Sequence, residues 1–334
     1  MKVMALKAPG GLDRLTMEER LDPGAPGPGM IRVALHGSSL NYHDLGIVTG
    51  NMPSADGRVP LADGAGIVEA VGEGVTALAP GDLVVSCFFP PWQDGPPHIP
   101  DFAHTPGDGV DGFAAEFAVR PADAFTRAPK GYDAVEAATI TTAGLTAWRA
   151  LVVEGGLKPG DTVLLLGTGG VSIWALQLAR AMGARVAITS SSDAKLEQAR
   201  ALGAEWTINY RRHPEWGAAV AEWSGGGVDH VVEVGGPATL AQSITAVRVD
   251  GHIALIGVLT GVAGDVPTAA LMAKQARLQG LIVGSRAMQI DFVRALEATG
   301  IRPVIDRRFP LDLLADAFAH QQSGEHFGKV GIEW

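Results

Sequence analysis

The chain has 334 residues, which is too long for one ordinary hydrophobic core and suits two domains. Its 26 basic and 36 acidic residues leave a net charge of −10, which argues against nucleic acid or an anionic membrane as the main partner. A hydrophobic content of 47% excludes a disordered chain.

The single cysteine, Cys87, excludes a disulfide within the chain and a cysteine-based metal cluster. The first residues lack the apolar core of a signal peptide, and no apolar run approaches the ~20 residues of a membrane-spanning helix. We therefore expect a cytoplasmic protein without a membrane partner.

Short apolar runs separated by glycine, proline and aspartate make the first ~125 residues β-rich. The predicted strands are Ile31–Leu35, Gly66–Val71, Leu83–Ser86 and Phe113–Val119. Residues 89–110 follow as a long irregular loop, and loops of that length are often functional. Its polar residues His98, Asp101 and His104 are interpreted as solvated, with a metal site or a substrate-lining role as alternatives.

The pattern changes at about residue 130, where buried strands begin to alternate with helices. The predicted strands are Val163–Leu166, Val186–Thr189, Trp206–Asn209, Val228–Val234, His252–Val258 and Leu281–Val283. The predicted helices are Val171–Met182, Asp193–Leu202, Glu215–Trp223 and Pro237–Val247. This alternation is typical of a parallel α/β sheet.

The last ~45 residues do not extend the alternating pattern. They predict a helix at Ile290–Thr299, an extended run at Arg302–Phe309, a helix at Leu311–Gln322 and a final strand at Gly328–Glu333. We expect this tail to return to the N-terminal β domain.

A glycine-rich turn carries the strongest local chemical signal. Gly167, Gly169 and Gly170 follow a buried strand and open directly into a helix, as in a dinucleotide-binding fingerprint. Gly167 allows the sharp turn and Gly169 lets a pyrophosphate approach, while the helix N-terminus at Val171 offers free N–H groups. Ser172 replaces the third glycine and is still small enough for close packing. A turn without a ligand is the alternative.

The end of the next strand discriminates between NAD and NADP. An acid normally binds the ribose 2′-hydroxyl of NAD there, but this chain has Ser190, Ser191 and Ser192, with Lys195 beyond. The missing carboxylate removes repulsion against a 2′-phosphate, and the hydroxyls and the ammonium add donors. The nearest acid, Asp193, falls at an expected helix N-cap. The segment predicts NADP(H); serines that only cap the helix are the alternative.

A set of motifs spans essentially the whole chain. They are Ser39–Asp44, Leu61–Val68, Val71–Val75, Pro80–Asp82, Gly144–Trp148, Lys158–Asp161, the glycine-rich turn, Asn209–Tyr210, Val234–Gly236, Leu255–Gly257 and Gly328–Val330. With these motifs the chain resembles the zinc-independent medium-chain dehydrogenases/reductases of the quinone oxidoreductase and enoyl reductase type.

The resemblance implies an α/β fold with two domains. A doubly wound parallel Rossmann sheet would occupy residues 126–287, and a discontinuous GroES-like β domain would occupy residues 1–125 and 288–334. NADP(H) would lie in the cleft between them. The resemblance also implies a homodimer joined through strands near 251–258 and 281–285.

The resemblance further implies which residues bind the cofactor. Asn41, Thr146 and the strand ends near Gly257 and Val283 would surround the nicotinamide, and Ser190, Lys195 and Tyr210 would hold the 2′-phosphate. The full implied set is Asn41, Thr142, Thr146, Gly167, Gly169, Gly170, Val171, Ser190, Ser191, Lys195, Tyr210, Gly235, Gly257, Val258 and Val283.

The residues at the zinc-ligand positions of the superfamily differ in this chain. Zinc-dependent members carry a cysteine at the position of Asn41 and a His-Glu pair at the positions of Ala62 and Asp63. They carry a further cysteine or aspartate near the position of Ala143. Only Asp63 could coordinate here, and a zinc site needs several nitrogen or sulfur ligands. The four-cysteine structural lobe is missing as well, so the resemblance implies no metal site.

Three side chains remain as candidates to polarise or protonate a substrate: Tyr42, His43 and Asp63. The Tyr or Arg that many quinone oxidoreductases carry just beyond this motif is missing. Core packing is the alternative for Tyr42, and a packed histidine bonded to backbone is the alternative for His43. Asp44 is interpreted as a structural hydrogen-bonding residue, and Cys87 as inert.

The expected reaction follows from the lack of zinc ligands in the sequence. Zinc would supply the strong Lewis acid that polarises an alcohol or carbonyl oxygen. Hydride can instead add to a conjugated C=C while hydrogen bonds stabilise the enolate. We expect NADPH-dependent reduction of an activated alkene (enone or enoyl), a quinone or an aldehyde-like small molecule. An alcohol dehydrogenase with unusual metal ligands is one alternative, and a cofactor-binding sensor or structural protein with little catalysis is another.

Overall fold

The computed structural model describes residues 1–334, which divide into two compact units. The first unit comprises Met1–Leu145 and Val283–Trp334, and the second comprises Thr146–Ile282. The sequence placed the boundaries at 125/126 and 287/288. They lie elsewhere in the structure because residues after 125 still pack on the sheet of the first unit. None of the helices combines the length and the apolar surface needed to cross a membrane.

The elements are numbered along the chain. The strands are β1 (Lys2–Leu6), β2 (Leu15–Glu19), β3 (Met30–Ser39), β4 (Ala65–Val71), β5 (Leu83–Ser86), β6 (Phe117–Pro121), β7 (Phe125–Arg127), β8 (Thr162–Leu165), β9 (Arg185–Ser190), β10 (Trp206–Asn209), β11 (Val228–Glu233), β12 (Val247–Leu255), β13 (Arg277–Gly280), β14 (Ile305–Pro310) and β15 (Lys329–Glu333). The helices are α1 (Tyr42–Val48), α2 (Ala134–Ala138), α3 (Leu145–Trp148), α4 (Gly170–Ala181), α5 (Asp193–Ala201), α6 (Trp216–Ser224), α7 (Pro237–Ala246), α8 (Thr268–Lys274), α9 (Arg286–Thr299) and α10 (Leu314–Ser323). Two π-helical turns, Ile140–Gly144 and Arg149–Val153, flank α3.

The second unit is a doubly wound parallel sheet, as the sequence predicted. Its six strands run in the order β10-β9-β8-β11-β12-β13, and all five neighbouring pairs are parallel. All four residues of β8 are buried, as expected for a central strand covered on both faces. The strand order reverses between β8 and β11, and open α/β sheets bind their ligands at the carboxyl ends of such strands.

The first unit is a mainly antiparallel β domain that the C-terminal tail completes, and β14 and β15 of the tail form its one parallel pair. Its main sheet runs β14-β15-β3-β4-β5-β7, with β6 also paired to β3, and β1 and β2 form a separate pair. β15 pairs antiparallel with β3, with Gly331 opposite Ser39. The predicted return of the tail to the N-terminal β domain is therefore confirmed.

Helix α2 begins at a capping box and packs closely on this sheet. The Asp133 carboxylate accepts the N–H of Glu136, and the Glu136 carboxylate accepts the N–H of Asp133. A Cβ on Gly37 of β3 would lie 2.5 Å from backbone atoms of α2, so only glycine permits this approach. The packing fixes the start of the segment that leads into the first π-helical turn.

Several elements differ from the sequence predictions. The run Leu281–Val283 is not a strand; the last strand of the parallel sheet is β13, whose exposed, polar edge residues give no apolar signal. The run Phe113–Val119 becomes a strand only from Phe117. Strands β1, β2 and β7 and helices α1, α2, α3 and α8 were not predicted, because each is short or partly exposed.

Two histidines lie side by side inside the second unit. His252 on β12 stands opposite His230 on β11, with ring centroids 6.3 Å apart. Nε2 of His252 is buried without a hydrogen-bond partner. Burial, followed by the charges of Arg277 and His230, lowers the pKa of His252 to about 4 from its ordinary 6.5. The folded protein therefore keeps this imidazole neutral.

This neutral histidine predicts a pH-dependent loss of stability. Between pH 4 and 6.5 the unfolded chain binds a proton at His252 that the folded chain does not, so stability falls as the pH is lowered through this window. The contribution is about 3 kcal/mol at most. We expect His252→Gln to lower the pH dependence of the unfolding free energy, measured by denaturant titration from pH 4 to 7.5. The exposed His104→Gln variant is the control, and equal pH slopes in wild type and His252→Gln would contradict the assignment.

Candidate functional site

The glycine-rich turn lies at the carboxyl end of β8, next to the reversal in strand order. Gly167 has φ of 70°, a left-handed conformation that favours glycine. Its N–H donates to Oγ1 of Thr189 at 3.2 Å. Ser172 is buried and donates its hydroxyl to the Leu166 carbonyl at 2.7 Å, which binds the start of α4 to the strand end.

The turn fits the pyrophosphate of a dinucleotide. Gly169 is the N-cap of α4, and a Cβ on it would meet no atom within 4 Å. The first-turn N–H groups of this 12-residue helix have no acceptor within the helix and carry the positive end of its dipole. The backbone therefore offers open space and donors together, as an anion requires.

The serine cluster at the end of β9 is partly structural. Ser192, and not Asp193, is the N-cap of α5; its hydroxyl oxygen faces the Lys195 N–H at 3.5 Å. Ser190 is buried, and its hydroxyl accepts the N–H of Ser192 at 3.2 Å. Ser191 is half-buried. The helix-cap alternative is thus correct for Ser192 and does not account for Ser191.

The charges around this strand end do not oppose the binding of an anion. The exposed Asp193 carboxylate accepts from Asn209 Nδ2 at 2.9 Å and pairs with the Arg212 guanidinium; the Asn209 bond first, then Arg212, lower its pKa. Tyr210 lies next to the serines, because its N–H donates to the Ser190 carbonyl at 3.2 Å. The following residue, Arg211, is exposed and makes no ion pair. Sequence reasoning missed Arg211 as a candidate contact of the 2′-phosphate, although its position next to Tyr210 could have indicated it.

A buried glutamate organises the next strand end. Oε1 of Glu233, at the end of β11, accepts the N–H groups of Gly235 (2.7 Å) and Gly236 (3.0 Å) and the Thr239 hydroxyl (2.6 Å). Gly257 packs against the Val234 backbone so closely that any side chain would overlap it. Gly235 and Gly257 are therefore brought together at this edge. Sequence reasoning missed this role of Glu233, although an acidic residue at the end of a buried strand could have indicated it.

The other predicted cofactor residues of the second unit are Thr146 and Val258. Thr146 is buried and belongs to α3, whereas Val258 is exposed and follows β12. Gly170 and Val171 form the first turn of α4.

In the first unit, a buried polar network joins Asn41, Asp63, Thr142 and Lys329. Nζ of Lys329 donates to the Leu40 carbonyl and to Asn41 Oδ1, both at 2.6 Å, and lies 3.5 Å from Asp63 Oδ2. The Ser39 hydroxyl donates to Asp63 Oδ2 at 2.5 Å. The Thr142 hydroxyl donates to Asp63 Oδ1 at 2.6 Å. The Asp63 side chain is 0% exposed, so a substrate cannot reach it directly.

Asp44 completes this network from the first turn of α1. Its Oδ2 accepts hydrogen bonds from the backbone N–H and from the side-chain Nδ2 of Asn41, both at 3.0 Å. Its Oδ1 accepts a hydrogen bond from the Ala62 N–H at 2.9 Å. Burial, and then Asp63, raise the pKa of Asp44 to about 6. Burial also lowers the pKa of Lys329, against the opposing charges of Asp63 and Asp44. The amide of Asn41 is thereby locked, with its oxygen on Lys329 and its nitrogen on Asp44.

The two other catalytic candidates lie on α1. Tyr42 is 57% exposed, so the core-packing alternative is wrong. Nε2 of His43 lies 3.0 Å from Oδ2 of Asp108, although the two atoms do not form a regular hydrogen bond. The His43 ring packs on Phe102 and Phe88, with centroids 4.7 and 5.6 Å away. His43 is thus packed, but its polar neighbour is a carboxylate and not the backbone.

The long loop contains two of the three partners of His43, namely Phe102 and Asp108. Phe89 and Trp92 at its start are buried, so part of the loop forms a small aromatic core. His98, Asp101 and His104 are exposed, as predicted. Asp108 was missed because nothing in the sequence connects it with residue 43.

Val283 has an unusual backbone. It is buried with φ of 45°, a genuine outlier for a β-branched residue. Strained conformations of this kind cluster at functional sites.

The residues at the zinc-ligand positions do not fit a metal ion. Asn41 and Asp63 are bound by an ammonium, and Ala62 and Ala143 offer no ligand atom. No group of three or more His, Cys, Asp or Glu is arranged to hold a metal. Burial raises the pKa of the Cys87 thiol to about 12, so this cysteine offers no thiolate.

Two domain families match the chain: the alcohol dehydrogenase GroES-like domain at residues 27–130 and the zinc-binding dehydrogenase domain at residues 170–298. A zinc-type alcohol dehydrogenase-like protein of Schizosaccharomyces pombe is 44% identical over 339 residues, 97% of this chain and 96% of its own. A Sinorhizobium meliloti 1021 structure, provisionally named an alcohol dehydrogenase, has 42% identity and a TM-score of 0.93, covering 100% of this chain and 98% of that one. The structure of an NAD-dependent alcohol dehydrogenase has 33% identity and a TM-score of 0.90, covering 100% of both chains.

The fold and these similarities define an oxidoreductase that binds a nicotinamide cofactor. The chain belongs to the medium-chain dehydrogenase/reductase family, with its GroES-like and Rossmann-like domains.

The open space at Gly169 predicts a variant that folds but binds dinucleotide poorly. Gly169→Ala adds a methyl group that meets no protein atom, at a backbone φ of −81° that alanine adopts readily. We expect an unchanged melting temperature and at least about tenfold weaker dinucleotide binding in a fluorescence titration, because the methyl group would occupy the space predicted for the phosphates. Gly27→Ala, also without a clash, is the control. Undiminished binding by Gly169→Ala would place the pyrophosphate elsewhere.

Proposed function

We propose that the protein is an NADPH-dependent reductase that transfers hydride to an activated C=C bond or to a quinone, without a metal ion. The observation that carries this proposal is the Lys329 ammonium, which binds Asn41 and Asp63, the residues at zinc-ligand positions. Zinc sites are built from several nitrogen or sulfur ligands, and these positions supply none. The names of the relatives favour an alcohol dehydrogenase as the second candidate.

The cofactor contacts proposed for the second unit follow from its strand ends. The backbone of residues 167–171 would hold the pyrophosphate. Ser190, Ser191, Lys195 and Tyr210 would hold the 2′-phosphate, and Arg211 adds a cation beside them. The preference for NADPH is supported by the paired state of Asp193, the only acid at this strand end, whose charge Arg212 offsets.

The nicotinamide contacts remain part of the proposal. Thr146, Gly235, Gly257 and Val258 of the second unit would contribute to them, and Asn41, Thr142 and Val283 of the first unit would contribute as well. When bound, the cofactor supplies the hydride. The locked Asn41 amide would act as a rigid wall, because its oxygen and nitrogen are already bound.

Tyr42 and His43 are proposed to stabilise and protonate the substrate oxygen. The exposed Tyr42 hydroxyl is free to donate. His43 is packed between two phenylalanine rings, and its Nε2 lies 3.0 Å from the Asp108 carboxylate. Neutral donors suit an enolate spread over several atoms better than a localised alkoxide. Asp63 acts only through Thr142, because its side chain is fully buried.

A homodimer is part of the proposal. β13 is an edge strand, and the residues that lead into and out of it expose several apolar side chains. They are Val258, Leu259, Val262, Val266, Met272 and Ile282. Exposed apolar side chains around an unpaired edge strand favour a subunit interface at this edge.

Lys195→Ala tests the cofactor preference. A charge-assisted hydrogen bond contributes roughly 1.5–3 kcal/mol, so we expect NADPH binding to weaken about 10- to 150-fold while NADH binding barely changes. Fluorescence titration of both cofactors measures this difference. Lys158→Ala removes an exposed lysine of the same unit and should change neither affinity. Equal losses for NADPH and NADH would refute the role of Lys195.

The reaction is tested by following NADPH absorbance with an enone, a quinone, and an alcohol plus NADP in parallel, before and after dialysis against a chelator. We expect enone or quinone turnover that the chelator leaves unchanged. Tyr42→Phe should lower it at least about tenfold with little effect on NADPH binding, because one donor to the developing oxyanion is lost. Tyr132→Phe, which removes a hydroxyl bonded to the Ile301 carbonyl, is the control. Alcohol oxidation that tracks bound zinc, with no enone or quinone turnover, would reject the proposal in favour of the dehydrogenase.

A further inference from the structure

The direction of one hydroxyl proton is fixed by the buried network. Thr142 is half-buried, and its Oγ1 lies 2.6 Å from Asp63 Oδ1. The other oxygen of Asp63 accepts from Ser39 at 2.5 Å and lies 3.5 Å from the Lys329 ammonium. A carboxylate held beside an ammonium has no proton to give. The hydrogen bond between Thr142 and Asp63 is therefore donated by threonine.

This direction determines what Thr142 can offer to a ligand. A hydroxyl has one proton and two lone pairs. With its proton on Asp63, the Thr142 oxygen can accept a hydrogen bond but cannot donate one. The arrangement is rigid because Lys329, 3% exposed, holds Asp63 from the opposite side.

The backbone gives this hydroxyl an unusual setting. Thr142 lies at the centre of the π-helical turn Ile140–Gly144, a conformation that is frequent at functional sites. The preceding Thr141 is fully buried, and its hydroxyl donates to the Ser86 carbonyl at 2.9 Å. Of two adjacent threonines, one is therefore internal, whereas the other is half-buried and uses its hydroxyl only as a donor to Asp63.

We infer that Thr142 is a specificity-determining residue that accepts a hydrogen bond from an N–H or O–H group of the bound ligand. The inference rests on the proposed function, which supplies the ligand. The donor is either the carboxamide N–H of the nicotinamide or an O–H or N–H group of the substrate. In both cases Asp63 and Lys329 are positioning residues that set the polarity of Thr142.

The cofactor source is tested with NADPH and its reduced 3-acetylpyridine analogue, in which a methyl group replaces the carboxamide NH2. Wild type and Thr142→Ser should bind NADPH about threefold to tenfold more tightly than the analogue. Thr142→Val should bind both with equal affinity, because the acceptor is gone. A general loss of structure would weaken the binding of both ligands alike and would not change the ratio of their affinities.

The substrate source is tested with a hydroxyl-bearing quinone and its methoxy analogue. If the substrate carries the donor, the cofactor ratio is the same in all three proteins. Thr142→Val then lowers kcat/KM for the hydroxyl compound about threefold to tenfold without changing the value for the methoxy compound. Changes within twofold in both tests overturn the inference. If no substrate is turned over, the proposed reduction fails, and the cofactor titration alone decides the role of Thr142.

Two further variants complete the test. Thr141→Val removes the adjacent internal hydroxyl and should leave both ratios at their wild-type values. Asp63→Asn turns an amide N–H toward Thr142, so that the threonine proton points outward and the preference for NADPH is lost. Melting curves identify any variant that does not fold, and Thr142→Ala replaces Thr142→Val if valine does not fit the π turn.

Discussion

A buried ammonium needs anionic and polar partners, because it has lost its hydration. Lys329 meets this requirement with the Leu40 carbonyl, the Asn41 amide and the Asp63 carboxylate. Leu40 and Asn41 lie nearly 290 residues away along the chain, and Asp63 is also far away in sequence, so β15 must pair with β3 for the charge to be satisfied. The same requirement locks Asn41, fixes Asp63 and orients Thr142. The discontinuous unit and the polarity of its candidate site thus depend on one buried charge.

Both units use a buried carboxylate in the same way. Glu233 binds the N–H groups of Gly235 and Gly236 at the end of β11, and Asp63 binds the hydroxyls of Ser39 and Thr142. Neither carboxylate is exposed, so neither can exchange protons directly with a ligand. Their contribution is to hold backbone segments and hydroxyl groups in place before a ligand arrives, which reduces the ordering needed on binding.

Much of the fold could be predicted from the sequence, and the reasons are local. Gly167 and Gly169 lie directly between a buried strand and a helix, and the alternation of strands and helices follows from hydrophobic pattern alone. The failures have a common cause. β13 is a polar edge strand, and α2 packs through Gly37, so neither has the apolar periodicity that the prediction depends on.

The sequence by itself determined the two-domain α/β class, the glycine-rich turn between a strand and a helix, and the absence of a cysteine or histidine at position 41, because these depend on residue type and near neighbours. Only the tertiary structure decided the partners of the polar groups. It placed Lys329 on Asn41, Asp108 beside His43 and Thr142 on Asp63. It also buried Asp63, which residue type alone had made a catalytic candidate. The direction of a hydrogen bond between residues 79 positions apart depends on which charge lies behind it, and folding alone brings that charge into place.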